Sequence, residues 1–203
     1  MPHEGAPRAA AVVLAAGEAR RFGGRKLVMP FGGSTIIECV ISALAGAGAA
    51  PIVVVTGPPS EEVSAALEGH DVRVAINPDP AAGMASSVKV GVGALPERVQ
   101  RFLIVLGDQP RIRAEDISRL LDEQQSSGRG IAIPTHGGKR GHPVAFDARH
   151  RAEILALGEE QTLRDVVHAR PDDIVEVEFP SDAFVRDIDT REQYEDELRR
   201  SEQ

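Results

Sequence analysis

Four short apolar runs, AAVVLAA at 10–16, PIVVVT at 51–56, VRVAI at 72–76 and RFLIVL at 101–106, set the narrowest limit on how this chain folds. Each is continuous rather than alternating and rich in β-branched side chains, the pattern of a strand covered on both faces, as in a parallel sheet. Parallel strands need long crossovers, and the intervening sequence supplies them, with helices predicted over 34–47, 60–67, 85–95 and 114–127. Ser34 or Thr35 followed by Glu38 reads as a capping box, and Ser60 ahead of Glu61 and Glu62 as a helix start. Strand and helix alternate, which makes the fold α/β. Past residue 128 the rhythm changes. GIAIPT and PVAF read as extended segments joined across the turn HGGKRGH, and IVEVEF alternates apolar with acidic residues, so the sheet is expected to become mixed there. Further helices are predicted over 149–157, 163–168 and 190–200.

A chain of 203 residues, 42% of them hydrophobic, can bury one sizeable core. We expect a flexible tail over 1–8 and a single domain over 9–200, since no repeat, low-complexity tract or linker divides the rest. The net charge of -8 opposes a nucleic-acid partner, the basic residues being concentrated only at Arg20, Arg21, Arg25 and Lys26. A lone cysteine, Cys39, rules out an internal disulfide and a thiolate metal cluster, and its place in a predicted helix suits a small core residue. No apolar run approaches the roughly 18 residues of a membrane span, so a soluble, cytoplasmic protein is expected.

The loop after the first run, LAAGEARRFGGRK at 14–26, stands where open α/β sheets bind ligands, at the carboxyl edge of the strands. It fits neither phosphate-loop template: GxxxxGK(S/T) fails because Phe22 occupies the second glycine position, and GxGxxG is absent. The nearby Gly46 and Gly48 close a helix instead. What remains is a turn in which Ala15, Ala16 and Gly17 let backbone approach a planar base or a phosphate closely, with Arg21, Arg25 and Lys26 supplying positive charge. A second signal is LGDQP at 106–110. Asp108 ends a buried strand and points into the same crevice, a carboxylate suited to Mg²⁺ held jointly with nucleotide phosphates. A third is RDIDT at 186–190, where Asp187 and Asp189 share one face of an extended segment. Either could join Asp108 at a metal, or Asp189 and Thr190 could simply cap the terminal helix. The six histidines form no short-spaced ligand pair beyond the loose His136 and His142.

Taken in order, LAAGEARRFGGRK, GMASSVKVGV at 83–92, LGDQP, RGHPVAF at 140–146 and DIDTREQYE resemble the motifs of the MobA-like nucleotidyltransferases, and among them the molybdenum cofactor cytidylyltransferases. The resemblance runs from about residue 10 to about residue 196. It implies a Rossmann-like three-layer sandwich of the nucleotide-diphospho-sugar transferase type, with a mostly parallel, partly mixed sheet. The implied reaction is attack by the terminal phosphate of molybdopterin on the α-phosphate of a nucleoside triphosphate, with release of pyrophosphate. Carried over to this chain, Leu14, Ala15, Ala16 and Gly17 line the base site, while Arg21 and Lys26 meet the triphosphate. Asn77, Gly83, Ser86 and Ser87 complete the nucleoside pocket. Asp108 holds Mg²⁺, or Mn²⁺, with Asp189 as the second ligand, so Arg21, Lys26 and Asp108 are the catalytic candidates. His142 faces the pterin. Guanylyl members resemble LAGG where this chain has LAAG, which makes CTP the expected nucleotide. Thr56 stands where guanylyl relatives carry an amide, and Phe22 and Arg191 replace the commoner Met and Pro. The resemblance also implies transient contact with a molybdenum hydroxylase. Use of GTP, a sugar phosphate or another phosphorylated metabolite as acceptor, and non-catalytic delivery of the cofactor are the alternatives.

Overall fold

The computed structural model describes residues 7–17 and 22–201. Its strands are β1 (Ala9–Ala15), β2 (Pro30–Phe31), β3 (Ser34–Thr35), β4 (Ala49–Thr56), β5 (Val72–Ile76), β6 (Arg101–Leu106), β7 (Ile131–His136), β8 (Lys139–Arg140), β9 (Val144–Asp147) and β10 (Ile174–Glu178). The helices are α1 (Ile36–Gly46), α2 (Glu61–Ala66), α3 (Met84–Ala94), α4 (Ala114–Ser127), α5 (Arg151–Leu155), α6 (Leu163–His168) and α7 (Arg191–Ser201). The main sheet runs β10-β7-β9-β6-β1-β4-β5, with β8 hooked onto β7. β6, β1, β4 and β5 are parallel, β9 is antiparallel to both its neighbours, and β10 returns parallel to β7. The sheet is therefore mixed where the apolar rhythm breaks.

Burial on both faces follows from the alternation of β1. Ala9, Ala11, Val13 and Ala15 pack with Ile37, Ile41 and Leu44 of α1 and Ile117, Leu120 and Leu121 of α4. Ala10 and Val12 face Val88 and Val92 of α3, Ile154 of α5 and Val166 of α6. Each fully buried Val, Leu or Ile here contributes about 1.5–3 kcal/mol, so the two helix layers together fix the sheet. Thr35, not Ser34, caps α1: its hydroxyl accepts from the Glu38 N–H and the Glu38 carboxylate accepts from the Thr35 N–H. A capping box of this kind adds about 1 kcal/mol.

One expectation is corrected. β5 is not covered on both faces: Arg73, Val74 and Ile76 are exposed, because as the terminal strand it has a neighbour on one side only. Ahead of β1, the Arg8 N–H donates to the Gly48 carbonyl and its guanidinium pairs with Asp122. Among the described residues, no helix is long and apolar enough to cross a membrane.

Candidate active site

From β1 the chain moves outward through β4 and β5, then crosses back to β6 on the other flank of β1. The connections leaving β1 and β6 therefore diverge, and a crevice opens at their carboxyl ends. A cleft of about 440 Å³ lies there, lined by Leu14, Ala16, Lys26, Ser87, Asp108 and Asp189 among others. A second cleft, about 720 Å³, shares Ala15, Ala16, Gly17 and Lys26 and extends to Thr56 and Ser60. The small-residue loop is thus the partition between two joined clefts. Gly107 makes the junction of β1 and β6 possible. Its N–H donates to the Leu14 carbonyl at 3.0 Å, and a Cβ there would come within 3.0 Å of that oxygen.

Lys26 is buried at the floor of this crevice. The preceding Arg25 adopts a left-handed backbone, φ 53°, and its side chain points outward to Glu62 at 2.9 Å while Lys26 turns inward. The Lys26 ammonium donates to Asp108 Oδ2 at 2.6 Å and to Asp189 Oδ1 at 3.3 Å. Burial pushes the Asp108 carboxyl above the ordinary carboxylate range; the Lys26 charge opposes that rise and the Asp187 charge adds to it. Asp108, Asp187 and Asp189 each offer one oxygen, all within 4.8 Å of one another. Both aspartates of the RDIDT segment therefore reach the cluster. Between them Ile188 is buried with Phe22, Phe31 and Ile36, so the alternation drives the apolar residue one way and both carboxylates the other.

Three sequence motifs meet behind these carboxylates. The Phe184 carbonyl accepts from the His142 N–H at 2.9 Å and from Gln109 Nε2 at 3.2 Å, and the Ile188 N–H donates to the Asp108 carbonyl at 3.2 Å. Gly141 packs so closely against the Phe184 carbonyl that no Cβ fits between them. LGDQP, RGHPV and DIDT are thereby locked together. Burial, reinforced by the Arg164 charge and opposed by Asp187, pulls the His142 imidazole down to about 4, so it is neutral at physiological pH.

Asn77 does not line either cleft. It is buried, and its amide donates to Ser86 Oγ at 2.7 Å and Ser87 Oγ at 2.9 Å while its carbonyl accepts from the Asp79 N–H at 3.0 Å. It fixes the start of α3, where Gly83 and Ser87 line the smaller cleft. Thr56 is buried beside the larger cleft, and among the described residues its hydroxyl has no hydrogen-bond partner. Arg21 lies outside the described residues. Sequence reasoning passed over Arg111, Gln109 and Glu197. The signal for Glu197 was present, since it shares a helical face with Tyr194 and Leu198 and a carboxylate on such a face requires a partner.

Residues 11–174 match the MobA-like NTP transferase domain. The chain belongs to that family. Among its relatives, the nicotine blue oxidoreductase of Paenarthrobacter nicotinovorans is 28% identical over 92% of this chain and 95% of its own length. A probable molybdenum cofactor guanylyltransferase of Mycobacterium avium is 29% identical over 89% of this chain and 90% of its own. Among solved structures, a nucleotidyl transferase from Methanothermobacter thermautotroptrophicus superposes with a TM-score of 0.80 at 26% identity, covering 94% of this chain and 96% of that one. The three-layer mixed sheet of this MobA-like chain is thus the nucleotidyltransferase fold, and nucleotidyl transfer is the general kind of chemistry its family carries out.

Proposed function

We propose that this chain transfers a cytidylyl group from CTP to the terminal phosphate of molybdopterin or molybdenum cofactor, releasing pyrophosphate. One observation carries the reading: a buried lysine and three convergent carboxylates stand on one wall of a crevice whose other wall is a loop of small residues. Phosphoryl-type transfer asks a protein for positioning and charge neutralisation rather than covalent help. In this reading Leu14, Ala15, Ala16 and Gly17 accept the base, Lys26 and Arg21 meet the triphosphate, and the Gly83–Ser87 start of α3 turns backbone N–H groups toward the nucleoside. Asn77 acts by holding that helix start in place. His142, neutral and beside Asp187, faces the acceptor.

The donor set fits a hard divalent cation. Asp108, Asp187 and Asp189 offer oxygen ligands from two hydrogen-bonded segments, the chemistry that Mg²⁺ or Mn²⁺ takes up together with phosphate oxygens. When bound, such an ion supplies neutralisation of the triphosphate charge.

The test incubates the protein with each nucleoside triphosphate, Mg²⁺ and molybdopterin, and measures pyrophosphate. Release with CTP that requires molybdopterin is expected. Release with GTP alone overturns the base assignment, release with a sugar phosphate but not molybdopterin overturns the acceptor, and full activity in EDTA overturns the metal role. The absence of turnover with every triphosphate, with cofactor still bound, supports a delivery protein that works by contact with a molybdenum hydroxylase. The name of the Paenarthrobacter relative favours one further reading, an oxidation–reduction activity. Reduction of nicotine blue by the purified protein at the expense of an added two-electron donor, without pyrophosphate release from any triphosphate, would establish that reading in place of ours.

A further inference from the structure

We infer that Glu197 is a positioning residue for the acidic wall, an inference that rests on Asp108, Asp187 and Asp189 holding a divalent cation. Glu197 is 3% exposed and lies on α7, whose Tyr194 and Leu198 pack against the cluster of Phe22, Phe31, Ile36 and Ile188. A carboxylate on the packed face of a helix is costly unless paired. Glu197 is paired twice: Oε2 accepts from Arg111 Nε, and Oε1 accepts from Arg186 Nε at 2.7 Å.

The two arginines come from the two segments that carry the cluster. Arg111 lies three residues beyond Asp108, and Arg186 immediately precedes Asp187. A second nitrogen of each guanidinium is also held, with Arg111 Nη2 on Asp182 Oδ1 at 2.5 Å and Arg186 Nη2 on Asp196 Oδ2 at 2.6 Å. A planar guanidinium held through two of its nitrogens has little freedom to rotate. One buried carboxylate therefore fixes both segments from behind, and with them the separation of Asp108 from Asp187 and Asp189. Partners bonded directly to metal ligands are worth about 10–100-fold in metal affinity, and a residue acting one step behind the ligands takes the low end of that range.

Mn²⁺ titration of the folded, nucleotide-free protein, followed by electron paramagnetic resonance, tests the inference apart from activity. Glu197→Gln and Arg186→Gln are expected to weaken Mn²⁺ binding by about 10-fold. Arg151→Met removes the side chain that donates to the Leu95 and Pro96 carbonyls, far along the chain from the cluster. It serves as a variant that lowers the melting temperature and leaves Mn²⁺ affinity unchanged. Arg186 is a third exposed, so Arg186→Gln decides the matter if Glu197→Gln fails to fold. Wild-type affinity retained in a folded variant overturns the positioning role and leaves the metal reading standing. Failure of the wild-type protein to bind Mn²⁺, with or without CTP, overturns the metal reading and the positioning role with it.

Discussion

On one wall of the crevice Ala15, Ala16 and Gly17 present little more than backbone, while across from them Asp108, Asp187 and Asp189 bring carboxylate oxygens within 4.8 Å of one another. The first wall is shaped from its own strand end and from a helix start pinned by Asn77. The second is assembled from segments more than 70 residues apart, held by the Phe184 carbonyl, the Asp108 carbonyl and the ion pairs of Glu197. A wall of small side chains tolerates change gradually, because each contact is weak. A wall of like charges does not, since carboxylates brought this close repel one another and removing a positive partner leaves that repulsion uncompensated. Perturbing each wall in turn therefore separates the two.

The largest effect is expected from Asp108→Asn, which keeps the shape and removes one charge. Pyrophosphate release should fall by roughly 10²–10³-fold, the scale at which one electrostatic group of an active site contributes. Stability moves the other way. Burial holds the Asp108 carboxyl above its ordinary value, so the folded state keeps the proton longer than the unfolded state does. Its contribution is thus most favourable at low pH and declines as pH rises from the ordinary carboxylate value through the raised one. Thermal unfolding from pH 3.5 to 7, as a range of about that span, should show this decline in the wild type and a flatter curve in Asp108→Asn. Equal slopes would show that the Lys26 pair fully compensates the burial.

His142 gives the next effect, with the opposite sign. Its imidazole is pulled down to about 4 from an ordinary 6.5, so the unfolded state takes the proton first. The stability it contributes is complete above pH 6.5 and is lost as pH falls toward 4, by about 3 kcal/mol in all. His142→Gln should remove that part of the acid sensitivity, and activity between pH 7 and 8 should show no inflection from this residue. A proton magnetic resonance titration placing His142 near 6.5 would contradict the burial argument.

Much of this was legible beforehand, for identifiable reasons. β1, β4 and β6 lie under helices on both faces, so their apolar runs are continuous; Thr35 and Glu38 form a capping box because the spacing is local. The alternation of DIDT put Asp187 and Asp189 on one face, and the fold brings both to Asp108. β5 misled because its sequence resembles that of a central strand, and position at a sheet edge is not a local property. The two-residue strands β2 and β3 are too short for any period to register. Glu197 was missed because its partners, Arg111 and Arg186, lie 86 and 11 residues away.

Gly141→Ala tests the assembled wall without touching a charge. The new methyl meets the Phe184 carbonyl, which also receives Gln109 and His142, so backbone must shift. Overpacking of this kind costs about 1–3 kcal/mol. A fall in melting temperature together with weaker Mn²⁺ binding is expected; unchanged Mn²⁺ affinity at reduced stability would mean that the wall survives loss of this contact.

The smallest effect belongs to the wall of small residues. Ala16 lines both clefts, and it is the residue on which the expectation of CTP rests. Ala16→Gly removes one methyl from the proposed base site, and a size difference of one carbon is worth about 10-fold at the low end of what a pocket can discriminate. The ratio of kcat/KM for CTP to that for GTP should therefore fall by about 10-fold in Ala16→Gly, with Mn²⁺ binding unaffected because no carboxylate or its partners have moved. A change of less than twofold would remove Ala16 from base selection and turn attention to Thr56, which lines the larger cleft and whose hydroxyl is buried without a partner among the described residues. In that case Thr56→Val, which keeps the shape and deletes the hydroxyl, decides whether that hydroxyl meets the base: an altered CTP-to-GTP ratio assigns it the contact, and an unchanged ratio removes it from base selection.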